Sequence, residues 1–237
     1  MKRTRPETHQ HEGHRDITGG AARAAVFGVS DGLTTNVALI LGVAGANPAP
    51  GVVRLAGVAG LIGGAFSMAA GEWVSIPAQA ELLERELAIE RRALARTPER
   101  EKRELVGIYR NRGIDRDTAE AMATQVMADP DRALEVHARE EMGVDPTSLG
   151  SPIKAASSSF ATFAVGALVP LIPWFAGHGG GAVAISLILA AVAAIAVGAA
   201  LARFTGKRTL FSSVRQLGIM AAAAGVTYGV GALIGSH

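Results

Sequence analysis

Two acidic side chains stand in stretches otherwise too apolar to want them, Asp31 and Glu72. Insertion scales put an Asp at mid-membrane about 2.5–3.5 kcal/mol uphill, so such a residue is a functional candidate by default. Met68 precedes Glu72 by four residues, a spacing that places both on one helix face. Two carboxylates with a thioether suit a late divalent transition metal better than calcium or magnesium, which take oxygen shells. A carboxylate that alternates between proton and metal also offers a way to couple the two. The plainer readings are an interfacial Glu72 hydrogen-bonded to a neighbouring helix and a Met68 that only packs.

A second set of acids recurs at helical spacing further on. Glu86 and Glu90 are four apart, Glu101 and Glu104 three apart, and His137 reaches Glu140 and Glu141 at three and four. Facing helices of this kind could supply several oxygens to one cation. The same spacing describes a solvated face whose acids pair with neighbouring arginines, as Glu86 beside Arg85 and Glu90 beside Arg91 illustrate, and spacing alone favours that reading. An N-terminal His9-x-His11-x-x-His14 stretch is read as a polar tail with a lesser claim to metal capture.

The elements that must position these residues follow from charge placement. All 21 acidic residues of the 237 lie at or before Asp145, so the last 92 residues contain none. A soluble domain of that length would scatter Asp and Glu over its surface. Five stretches approach the twenty apolar residues that a spanning helix needs: 24–46, 55–76, 155–176, 182–202 and 212–234. They are rich in Ala and Gly, which lets helix backbones approach closely, as in Gly57-x-x-Gly60 and Gly60-x-x-x-Gly64. Pro170 and Pro173 interrupt the third span, either to expose carbonyls to a pathway or simply to end the helix. With 1.5 Å of rise per residue, Asp31 sits about 10 Å and Glu72 about 6 Å inside the same membrane edge.

Lysine and arginine set the orientation: five lie at or before Arg23, thirteen between Arg85 and Lys154, four between Arg203 and Arg215, and only Arg54 on the other side. The N-terminus is therefore expected in the cytoplasm and the C-terminus outside. The segment between the second and third spans changes composition abruptly. It reads as a continuation of the second helix, then helices opened by Pro98, by Asp115 or Asp117, and by Pro130, with breaks at Gly113 and near Gly143. The expected architecture is all-α: a polar cytoplasmic tail over 1–20, two spans over 21–77, a cytoplasmic helical metal-binding insert over 78–151 and three spans over 152–237. With no cysteine, thiolate sites and disulfides are excluded, and a net charge of +2 gives no sign of a nucleic-acid partner.

At Ser30-Asp31-Gly32-Leu33-Thr34 and Ser67-Met68-Ala69-Ala70-Gly71-Glu72-Trp73-Val74-Ser75 the chain resembles the vacuolar iron transporter family. Val165-Gly166-Ala167-Leu168-Val169-Pro170-Leu171, the five-span order and the insert match too, over about residues 20–235. The resemblance implies a bacterial-type member in the plasma membrane: a homodimeric, proton-coupled exporter of ferrous iron or manganese, with lipid, metal ions and protons as partners and no prosthetic group. It makes Asp31 and Met68 pathway residues of a central channel and Glu72 the motif acid. The insert becomes a metal-collecting domain whose glutamates fall on Glu90, Glu101, Glu104 and Glu141. The chain departs from the pattern at Ala93, where a glutamate is missing, at His137-Ala138, where a Met-Met pair is missing, and over 17–30, which lacks acids before the first motif. His137 replacing a thioether and Glu86 replacing the lost carboxylate are the expected compensations. A ferritin-like di-iron oxidase would need two Glu-x-x-His motifs; the insert's single His137 follows Leu134 at that spacing. A membrane-anchored metal sensor or scaffold is the other alternative, and it would not require Asp31 and Met68 at matched depth.

Overall fold

The computed structural model describes residues 20–143 and 150–236, and the N-terminal histidines His9, His11 and His14 lie outside them. Among the described residues every regular element is an α-helix: α1 (Gly20–Gly45), α2 (Pro50–Arg96), α3 (Pro98–Asn111), α4 (Arg116–Met127), α5 (Pro130–Glu141), α6 (Pro152–Leu171), α7 (Pro173–Ala176), α8 (Gly179–Thr205) and α9 (Thr209–Gly235). Five of them, α1, α2, α6, α8 and α9, are long and apolar enough to cross a membrane. Their outward faces carry Phe27, Leu55, Ile188, Val226 and Leu233 in the open. An apolar belt of that extent on a folded chain belongs in lipid.

Helix-helix association in lipid rests on close packing rather than on the hydrophobic effect, and small residues make it possible here. A methyl group added at Gly32 would lie 2.1 Å from the Phe163 carbonyl oxygen, and one at Gly166 would lie 2.3 Å from that of Val29. The backbones of α1 and α6 therefore touch on both sides of the crossing. Gly57, Gly60 and Gly64 are used in the same way: an added methyl would run into Leu171, Leu39 and Phe163 respectively. Their spacing thus serves contacts of α2 within the chain. Around this crossing Leu33, Val37 and Leu41 pack on Ala190, Ala194, Met220 and Ala224 of α8 and α9.

Buried polar groups tie the spans together. Asn36 is fully buried and donates from Nδ2 to the Ala167 carbonyl at 2.6 Å. Gln216 Nε2 donates to Ser30 Oγ at 2.7 Å. At the proline break Ser186 Oγ donates to the Pro170 carbonyl at 2.6 Å while Trp174 Nε1 donates to Ser186 Oγ at 3.0 Å. Pro170 lies inside α6 and Pro173 opens α7. The Pro170 carbonyl is thus satisfied within the bundle, which is how a helix end behaves.

The second span does not stop at the membrane edge. α2 runs 47 residues, about 70 Å at the usual rise, with Pro77 inside it. Beyond it α3, α4 and α5 fold on a core of their own formed by Leu105, Tyr109, Ala119, Ala123, Val126 and Ala133. Pro98 opens α3, Asp115 caps α4 by accepting from the Thr118 amide at 3.0 Å, and Asp129 caps α5 by accepting from Asp131 and Arg132. Each start is the one that proline and aspartate preferences predict.

Gly32→Ala is expected to lower the melting temperature and the yield of monodisperse protein in detergent, because the Phe163 carbonyl is backbone and cannot swing aside. Over-packing of this kind costs about 1–3 kcal/mol. Gly225→Ala on α9, where an added methyl meets nothing within 4 Å, supplies the control, and equal melting of the two variants would contradict the close crossing.

Candidate functional site

Within the spans, one groove of about 400 Å³ is lined by Asp31 and Thr35 of α1 and by Ser67, Met68, Glu72 and Ser75 of α2, with Phe163 of α6 also on its wall. The helical arithmetic that put Met68 and Glu72 on one face is realised, and α1 brings Asp31 beside them. Thr35 Oγ1 donates to Asp31 Oδ1 at 3.2 Å, one turn along the same helix. Glu72 is only 16 % exposed, and among the described residues Arg23 pairs with it, its Nη2 lying 4.0 Å from Oε2. Asp31 itself is exposed on the outside of the single chain. Thr35, Ser67, Ser75 and Arg23 were not singled out from the sequence. Thr35 was within reach of the four-residue rule from Asp31, and Ser75 of the three-residue rule from Glu72. Arg23 was read only as a positive-inside charge.

A second constellation lies on the extension beyond the spans. The Thr97-Pro98 corner ends α2 and starts α3, folding Glu101 back toward Glu90. Here the Thr97 hydroxyl donates to Glu101 Oε1 at 3.2 Å. α5 contributes His137 from its buried face, alongside Ala133, Leu134 and Ala138. Glu90, Glu101 and His137 offer ligand atoms that all lie within 4.8 Å of one another. His137 is fully buried; its Nδ1 sits 3.0 Å from Glu141 Oε1 and 3.3 Å from Glu90 Oε1, and its Nε2 has no protein partner. A buried imidazole nitrogen left without a partner is costly, and two carboxylates and an imidazole within ligand range form a donor set that borderline divalent metals accept.

The electrostatics of the cluster are those of crowded acids. Burial pushes the Glu90 carboxyl above its usual range, and the neighbouring Glu141 carboxylate adds to the rise. Glu101, 3 % exposed, is also raised, first by burial and then by the hydrogen bond it shares with Glu104. Glu104 goes the other way, because Arg100 Nε donates to it at 3.1 Å. The other two candidates are not gathered in. Glu86 is exposed on α2. Glu140 accepts from Arg112 Nη1 at 2.7 Å, an ion pair that ties α5 to the end of α3 and occupies the carboxylate.

Fold and sites together define a polytopic helical membrane protein with a carboxylate-thioether groove in its spans and a carboxylate-imidazole cluster on a helical extension. The chain belongs to the VIT family, whose profile matches residues 22–232. It is 38% identical to the vacuolar iron transporter of Acanthamoeba castellanii, over 91% of this chain and 79% of that protein. It is 30% identical to vacuolar iron transporter 1 of Oryza sativa subsp. japonica, over 94% of this chain and 89% of the relative. The same identity relates it to vacuolar iron transporter 1 of Eucalyptus grandis, over 93% and 89% of the two chains.

A folded-state pKa raised above the unfolded one means the folded chain holds its proton to higher pH. Glu90 and Glu101 therefore destabilise the metal-free fold at neutral pH, and that penalty is relieved as pH falls through their raised values toward the usual 4.5. Glu104, held low by Arg100, loses its contribution only below that range. The metal-free protein in detergent is expected to melt a few degrees higher at mildly acidic than at neutral pH. A metal-free melting temperature that drops steadily from neutral pH downward would contradict the crowded-acid description.

Proposed function

We propose that this protein is a transporter that exports divalent transition metal, ferrous iron or manganese, from the cytosol across the bacterial plasma membrane in exchange for protons. The observation that carries the reading is the groove that Asp31, Met68 and Glu72 line together on two of the apolar helices. Two oxygens and a soft sulfur in one lined space fit a late divalent ion, and a carboxylate released by the metal can take a proton for the return step. The names of the relatives point the same way, since each is called an iron transporter. A sensor or scaffold would use the outer cluster and leave the groove without a task. The reading is of a carrier and not of an enzyme.

Glu90, Glu101 and His137, flanked by Glu104 and Glu141, act in this reading as a collector that raises local metal concentration on the cytoplasmic side. The positive-inside count supports that placement. His137 takes the role that the family pattern gives to a thioether. Glu86 and Glu140 have no part in holding the ion.

The working unit is a homodimer closed over the groove. An exposed Asp31 facing acyl chains would carry the full cost of a carboxylate in hydrocarbon. A second copy laid on the α1–α2 face removes that exposure and turns two grooves into one enclosed path. Gly63 and Gly71 lie on α2 with open space around them, which suits close approach of another helix.

Proteoliposomes carrying a metal-sensitive dye and an imposed pH gradient test the reading. Asp31→Ala is expected to abolish metal flux, whereas Glu101→Ala combined with Glu104→Ala only weakens it. Full transport by the Asp31 variant would sink the pathway, and flux indifferent to the gradient would remove the antiport. Running iron, manganese, cobalt and zinc side by side gives the order of preference.

A further inference from the structure

The mouth of the groove contains a charge that a cation pathway would not be expected to tolerate. Arg23 stands at the start of the first span, 58 % exposed, with its guanidinium 4.0 Å from the carboxylate of Glu72. That separation is an ion pair but too long for a hydrogen bond. Glu72 Oε2 is buried and makes no hydrogen bond in the fold, so Arg23 is its neutralising neighbour without being locked to it. The arginine has room to swing aside, because its side chain is more than half exposed on the single chain. The glutamate cannot follow, being 16 % exposed in the groove wall.

This is an exchange site with a resident competitor. A monovalent cation arriving at Glu72 brings one charge and must displace one charge already held on a tether, so it gains nothing electrostatically. A divalent cation brings twice the attraction at the same distance, and it gains a second carboxylate when it reaches Asp31, which lines the same groove. We propose that Arg23 is a specificity-determining residue for the pathway: its guanidinium holds Glu72 against monovalent cations and yields to divalent ones. The inference rests on the pathway reading given above and deepens it, since the abundant potassium and sodium of a cell are the competitors the groove must refuse. It also gives Arg23 a task beyond setting orientation.

The test measures manganese flux into proteoliposomes at several manganese concentrations, with and without physiological potassium. The wild-type apparent KM is expected to respond weakly to potassium. Arg23→Gln should lower the KM in potassium-free buffer and raise it about threefold or more once potassium is added, since a bare carboxylate is open to screening and competition by salt. Arg23→Lys, which keeps the charge, should restore the weak wild-type response. Elution as a single species with an unchanged melting temperature separates these effects from misfolding. A wild-type potassium response in Arg23→Gln, or a failure of Arg23→Lys to restore the weak response, would overturn the role of Arg23. Absence of flux in the wild type would instead overturn the transport reading.

Discussion

The contact between α1 and α6, in which Gly32 meets the Phe163 carbonyl and Gly166 meets that of Val29, is the constraint on which the membrane half depends. It fixes the rotation of α1, because only one face of that helix lacks side chains where α6 passes. With that face committed, Asp31 lines the groove beside α2. Asn36, five residues on, is turned inward to find the Ala167 carbonyl. A bulkier residue after Asp31 would not merely loosen the bundle; it would re-aim the acid that the groove is built around. The glycine in Ser30-Asp31-Gly32 and the aspartate beside it are therefore one device, with the small residue supplying direction and the carboxylate supplying charge.

The two acid-rich places solve the problem of concentrated negative charge differently. In the groove the carboxylates are few and separated, and Glu72 has a guanidinium at ion-pair distance. Beyond the spans the acids are pressed together, and burial with mutual repulsion raises Glu90 and Glu101 above the usual carboxylate range. A cluster of that kind gives up protons when it takes a metal and gives up metal when it is acidified.

Much of this was legible in the chain. The spans could be read because acids vanish after Asp145 and because lysine and arginine fall almost wholly on one side. The helix starts at Pro98, Asp115 and Pro130 could be read because their caps are local chemistry. The groove could be read in part, since Met68 and Glu72 lie one turn apart on a single helix, while their meeting with Asp31 depended on how two helices cross. The cluster was legible least. Glu86 and Glu90 have the same local surroundings in sequence, yet only Glu90 is met by the return of α3 and the buried face of α5. Glu140 and Glu141 are neighbours too, and the long-range partner Arg112 takes one while His137 takes the other. Local spacing names the candidates on a helix face; tertiary pairing chooses among them. Glycines show the same limit, because Gly57, Gly60 and Gly64 were readable as a packing stripe but not as one spent on α1 and α6.

The unbroken run of α2 from Pro50 to Arg96 has a consequence in phase. Glu72 and Glu90 are eighteen residues apart, which at 3.6 residues per turn is five whole turns and about 27 Å of axis. On an ideal helix that separation would set the acid of the groove and the acid of the outer cluster on one line, and Pro77 is the one helix-interrupting residue between them. A one-residue insertion anywhere between them would keep both sites chemically intact and rotate them about 100° out of line. The length of that stretch is thus as much a part of the apparatus as the acids at its two ends.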